Sequence, residues 1–174
     1  TEWKHPGKAS PLLVISGSCS PVTAKQIAWA NTNGFEEVEL DAIKVCNEQG
    51  IEEVLIKKII FLLQQQKNVI VHTGTKQIPN LSSEKLGSVL GRIAKEAVKR
   101  SGIKRIVVSG GDTSSYAARA MDIEAVEMIA PLIIGAPLCK TYSKNKMMQG
   151  IEVNFKGGQV GSENYFETLV NGGE

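Results

Sequence analysis

The chain has 174 residues, 42% of them hydrophobic, enough for one domain with a sizeable core and too few for two of ordinary size. Twenty Lys and Arg against eighteen Asp and Glu leave a formal charge of +2, too little for the broad basic field of a nonspecific nucleic-acid binder, so no nucleic-acid partner is expected. No apolar run approaches the roughly 20 residues that cross a bilayer, and the N-terminal TEWKHPGKAS lacks a signal-peptide core, so the expectation is a cytoplasmic protein without membrane contact.

Residues 1–10 read as a tail or linker and residues 11–174 as one domain, and the initial Thr is what a processed or excised piece of something longer would show. Residues 12–16 (LLVIS) form an apolar run of strand length that stops at Gly17, Ser18, Cys19, Ser20 and Pro21. Ser20 is placed to cap a helix and Pro21 suits its first position, with Val22, Ile27 and Ala30 on the apolar face before Gly34. Residues 36–40 alternate as a strand and end at Asp41. A helix follows, clearest over residues 48–66, with Ile51, Leu55, Ile59 and Leu62 or Leu63 on one side.

Residues 68–73 (NVIVHT) read as a third strand and 74–81 as a loop. The helix predicted over 84–101 turns Leu86, Val89, Leu90, Ile93, Ala97 and Val98 inward and ends at Gly102. Residues 105–109 (RIVVS) are a fourth strand running into Gly110, Gly111, Asp112 and Thr113, then a short helix through Ala120. Beyond residue 121 two short strands, 123–129 and 132–136, stand either side of Pro131, and residues 140–149 read as a polar loop. A last strand over 151–155 leads through KGGQVGS to a closing helix near 163–170. This order predicts an α/β fold: a mostly parallel sheet flanked by helices on both faces, with a short antiparallel addition near residues 123–139.

In such sheets ligands sit beyond the carboxyl ends of the strands, where SGSCSP, SGGDTS and KGGQVGS would gather. Ser16, Ser18 and Ser20 with Gly17 at a helix start suit an anion, and equally suit a capped turn. Gly110 and Gly111 allow close backbone approach, while Asp112 fits either a magnesium or ribose contact or an N-cap. Three glycines in five positions beside Lys156 point to a special loop conformation, without the order of a P-loop.

The other polar residues carry weaker signals. Asp41 stands where dinucleotide folds place a ribose-binding acid, but no G-x-G-x-x-G precedes it, and capping is the simpler reading. His72 reads as a hydrogen-bonded core residue. Lys95, Lys99, Arg100, Lys104 and Arg105 read as a solvated helix end, and Trp3 and Trp29 as packing residues. Cys19, Cys46 and Cys139 show no paired or metal-ligand spacing and read as free buried thiols, and two histidines make no metal cluster.

The loops SGSCSP, SGGDTS and KGGQVGSENYF in this order, with LGRIAKEAVKRSGIKRIVVSGGDTS and IAPLIIGAPLC, resemble the C-terminal nucleotide-binding domain of the four-carbon acid sugar kinases across nearly the whole chain. The resemblance implies a domain that binds ATP with Mg2+ in an enzyme phosphorylating threonate, erythronate or their 3-oxo forms. Carried over by position, it places nucleotide contacts at Ser18, at Gly110, Gly111, Asp112 and Thr113, and at Gly157, Gly158 and Gly161. Many relatives have a shorter glycine loop with Asn, so no side-chain role passes to Gln159.

The sugar acid would be the partner, bound by a preceding domain outside these 174 residues, and the piece alone is expected to bind nucleotide without turnover. A homo-oligomer is compatible with the resemblance. The alternative from another class is a non-catalytic nucleotide-sensing or interaction module.

Overall fold

The computed structural model describes residues 2–47 and 52–173. In chain order the elements are β1 (Leu13–Ser16), α1 (Pro21–Thr32), β2 (Glu36–Glu39), α2 (Ala42–Asn47), α3 (Glu53–Gln64), β3 (Val69–His72), α4 (Ser83–Ser101), β4 (Arg105–Ser109), α5 (Gly111–Ala120), β5 (Ala125–Ile133), β6 (Ala136–Tyr142), β7 (Glu152–Lys156) and α6 (Tyr165–Asn171). One seven-stranded sheet runs in the order β2-β3-β1-β4-β7-β6-β5. Pairing is parallel from β2 through to β7 and antiparallel where β6 meets β7 and β5.

The central strands are apolar along their whole length because both of their faces are covered, the usual state of a parallel sheet. Leu13, Ile15, Val69, Val71, Ile106, Val108 and Val153 pack with α2, α3, α4 and α5 on one face. Leu12, Val14, Ile70, Val107 and Leu138 pack with α1 and α6 on the other. The helix ends follow local chemistry. Ser20 Oγ accepts from Val22 N with Pro21 in the first turn, and Ser82 caps α4, which closes at Gly102 in the left-handed conformation at φ 70°.

Several boundaries differ from the sequence reading. A separate short helix, α2, directly follows the second strand, because Asp41 Oδ1 accepts the Ile43 and Lys44 amides at 3.0 Å each. Of the helix predicted over 48–66, residues 48–51 lie outside the described residues and α3 occupies Glu53–Gln64. Pro131 does not separate two strands; it lies inside β5, an outermost strand with register shifts on either side of Ala130. Proline is tolerated there because one side of an edge strand donates no ladder bonds. β6 consequently covers residues read as loop.

Arg105 is not part of a solvated face. It is 1% exposed, its Nε donates to Glu152 Oε2 at 2.6 Å, and its guanidinium also donates to Gly7 O at 3.1 Å and Leu169 O at 2.7 Å. With Ala9 N donating to Val170 O, these bonds fasten the segment before β1 to the end of α6. Trp3 is exposed whereas Trp29 packs against the α1/α6 core, and Cys19, unlike Cys46 and Cys139, is exposed.

Helices α4 and α5 touch backbone to backbone through two glycines. A Cβ on Gly87 would stand 2.5 Å from Thr113 O, and one on Gly91 would run into Ala117 O. Gly91→Ala should therefore push α5 away and cost about 1–3 kcal/mol as overpacking, read as a Tm lower by about 2–12 °C in thermal unfolding.

Candidate functional site

The site begins with sheet register. Ser16 pairs with Ser109, and Ser109 with Lys156, so β1, β4 and β7 end level with one another. Their exits then diverge. β4 leads to α5 on one face, while its neighbours β1 and β7 lead to α1 and α6 on the other. Divergent exits open a crevice at the carboxyl edge, where open α/β sheets take ligands.

The three glycine-bearing loops meet in that crevice. Gly17 N donates to Ser109 O at 3.0 Å and Gly110 N to Lys156 O at 3.1 Å, stitching each loop to its neighbouring strand. A Cβ on Gly158 would stand 2.7 Å from Ser18 Oγ and 2.9 Å from Ser20 Cβ; one on Gly110 would stand 2.6 Å from Thr113 Oγ1 and 3.3 Å from Ser18 N. Gly110 also has φ 126°, a conformation that favours glycine.

Of the residues named from sequence, Ser18 thus lies against both Gly110 and Gly158, and Thr113 against Gly110, while Gly111, Asp112 and Gly157 adjoin them in the same loops. Gly161 is not in this group: at φ 94° it packs over the Tyr165 ring at the far end of the loop. Asp112 is not an N-cap. Gly110 holds that position without a side-chain cap, and Asp112 sits exposed in the first turn of α5. The first-turn amides of that helix, which have no intrahelical acceptor, therefore have no side chain closing them off.

Sequence reading missed the residues that hold the loops together. Thr23 Oγ1, on α1, donates to Gly158 O at 2.9 Å, accepts from Ser18 Oγ at 3.0 Å, and accepts from Lys156 Nζ at 3.1 Å. Gln26, one turn on, donates through Nε2 to Val160 O at 2.9 Å and Ser162 O at 3.0 Å. The signal was present: Thr23, Gln26, Ile27 and Ala30 are the buried face of α1, so two polar residues occupy positions where periodicity calls for apolar ones. Lys156, placed in the loop from sequence, is the last residue of β7 and is buried; burial lowers its pKa to about 8. Partial burial pushes the Cys19 thiol in the first loop above its ordinary value.

Farther along the same edge, a cavity of about 630 Å³ opens beyond β2 and β3 beside Glu39, Asp41, Thr73, Gly74 and Lys76. Asp41 is committed to capping α2. His72 is buried, with Nδ1 accepting from Gly74 N at 3.0 Å, which leaves Nε2 to donate to Glu37 Oε1 at 2.7 Å. Both residues thus have structural occupations.

The chain is similar to known proteins in sequence and in fold. Residues 13–166 match the family model described as a nucleotide-binding C-terminal domain. The chain is 31% identical to a 3-oxo-isoapionate kinase of Paraburkholderia graminis over 92% of its own length and 38% of the relative's. It is 26% identical to a 3-oxo-tetronate kinase of Pseudomonas fluorescens (95% of this chain, 39% of the relative), and 25% identical to a D-threonate kinase of Salmonella typhimurium (88% and 40%). The chain thus spans about two-fifths of the length of these curated relatives. Its fold is shared with a Bordetella bronchiseptica protein solved with bound citrate as a domain-swapped dimer (TM-score 0.79, 16% identity, 95% of this chain and 41% of that one). A Haemophilus influenzae protein shares it too (TM-score 0.69, 20% identity, 96% and 41%).

Proposed function

The chain belongs to the nucleotide-binding C-terminal domain family, and from that premise we propose that it is the ATP-binding part of a kinase acting on four-carbon sugar acids of the threonate, erythronate or 3-oxo-tetronate type. The observation that carries the reading is the meeting of three separate loops over the level ends of β1, β4 and β7. A polyphosphate needs backbone N–H groups, small residues that admit it closely, and positive charge. Gly158, Gly110 and the uncapped first turn of α5 answer the first two requirements, and Lys156 beneath them answers the third.

Phosphoryl transfer depends on positioning and on neutralising phosphate charge. In this reading Ser18 and the amides of Gly111, Asp112, Thr113, Gly157 and Gly158 hold and orient the phosphates. Mg2+ would supply further neutralisation, held chiefly by phosphate oxygens with Asp112 as the nearby carboxylate. The relatives' names support the sugar-acid substrate, which would be held by residues outside this chain, and the chain alone should not turn over.

Calorimetric titration of this chain should give saturable heats for ATP and ADP with magnesium, and no comparable heat for sulfate or NAD. Joined to a sugar-acid-binding domain, it should consume ATP only when a four-carbon sugar acid is present. Equal weak heats for ATP, sulfate and buffer would remove the nucleotide reading. ATP binding with no sugar acid stimulating turnover would favour a sensing module instead.

A further inference from the structure

Among the described residues Arg105 and Lys156 are fully buried cations, and they differ in one respect. Arg105, at the amino end of β4, has Glu152 beside it at 2.6 Å. Lys156, at the carboxyl end of β7, is equally buried at 1% exposure but forms no ion pair with a carboxylate of the described residues. Its Nζ donates to Thr23 Oγ1 at 3.1 Å and Ser109 Oγ at 3.2 Å, and lies 5.5 Å from the centroid of the Tyr165 ring. Two hydroxyls and a ring face solvate the ammonium without neutralising it. A buried charge left in that condition is costly, and a fold keeps one where something else supplies the opposite charge.

Both hydroxyls belong to the cradle. Ser109 ends β4 immediately before Gly110, and Thr23 bonds Ser18 of the first loop and Gly158 of the third. We infer that Lys156 is the charged floor of the phosphate cradle: a positioning residue that acts through Thr23 and Ser109 on the loops above and takes its counter-charge from the bound polyanion. The inference rests on the nucleotide reading above and gives Lys156 a defined role in that site.

The electrostatics give it a sign. Burial lowers the Lys156 pKa to about 8, so its charge is intact below that pH and fades above it. The titratable group facing it is the Tyr165 phenol from α6, which burial holds protonated far above its ordinary range. From β4 and α1 it meets only the hydroxyls of Ser109 and Thr23. Anion binding must restore the Lys156 proton, so affinity falls as pH rises through about 8 and binding above that pH takes up protons. In the ligand-free chain the sign reverses. Between about pH 8 and the ordinary lysine value of 10.5 the unfolded state holds the proton that the native state has released, so this group's contribution to stability rises with pH over that window.

The test uses ATP with magnesium and inorganic tripolyphosphate, titrated at pH 7 and pH 8.5 in two buffers of different ionisation heat, against wild type, Lys156→Met and Thr23→Val. Lys156→Met removes an uncompensated charge from a tight site, so its ligand-free Tm should be unchanged or higher. Its affinity for both anions should be weaker by about 10- to 100-fold, through loss of the buried counter-charge beneath the loops, with no proton uptake at pH 8.5. Thr23→Val, which keeps the cation but severs the hub, should weaken binding while retaining proton uptake. Wild-type binding with affinity retained within about twofold in Lys156→Met, or proton uptake absent in wild type or persisting in that variant, would overturn the inference and leave the nucleotide reading standing. A Lys156→Met Tm lower by more than about 5 °C would make the residue a structural one. If wild type binds neither anion, the nucleotide reading falls and this inference with it.

Discussion

Gly158→Asp is expected to abolish measurable ATP binding, a loss of at least about 100-fold, and Gly158→Ala to weaken it by about 10-fold or more, corresponding to roughly 3 and 1.4 kcal/mol. The physical cause is space first and charge second. The Cβ of Ala would intrude to 2.7 Å from Ser18 Oγ and 2.9 Å from Ser20 Cβ, so the first and third loops would have to part where the phosphates would lie. Aspartate adds a negative charge beside the proposed polyanion. Melting should move by only a few degrees, because Gly158 is half-exposed and lies outside both cores. ATP titration of the two variants alongside thermal unfolding checks both halves. Undiminished affinity in Gly158→Asp would reduce the last loop to a turn.

Arg105→Met should instead be the most damaging change to stability, costing about 3–5 kcal/mol by breaking a buried ion pair, with Tm lower by about 6–20 °C. The loss has three parts: Glu152 is left without its cation, and Gly7 O and Leu169 O lose their donor. Nucleotide affinity, measured at a temperature where the variant is folded, should be unaltered, because Arg105 stands at the end of β4 opposite Gly110. The contrast with Lys156→Met is the informative part. Both variants remove one buried cation, yet the paired one should destabilise the fold and the unpaired one should not.

The order of elements was legible because it depends on local signals that tertiary structure seldom overrides. Apolar strand runs, Ser20 with Pro21, and Gly102 after a long amphipathic helix are examples. The region past residue 121 was less so. A proline normally breaks a strand, and only the edge position of β5, a property of the whole sheet, lets Pro131 remain inside one. Arg105 was misread for a similar reason. Its neighbours Lys99, Arg100 and Lys104 advertise a solvated helix end, while strand geometry turns Arg105 inward to a glutamate 47 residues away.

At the site, the loops declared themselves through glycine and serine, whereas the hub did not. Thr23 and Gln26 are ordinary residues on a helix. Their importance comes from a contact with a segment more than 130 residues downstream, which no local pattern encodes. Gly161, in the same motif, adopts φ 94° where its backbone packs against the Tyr165 ring.

The two outer strands are poor templates for growth. β2 carries three glutamates in four residues, so a second strand approaching it meets a line of like charge. β5 is long and exposes Val126 and Met128, but Pro131 withholds an amide and the slips around Ala130 bend the ladder that an incoming strand would need. Sticky side chains on that rim are therefore not matched by a regular row of bonding groups. Neither rim thus offers an incoming strand a regular ladder to extend.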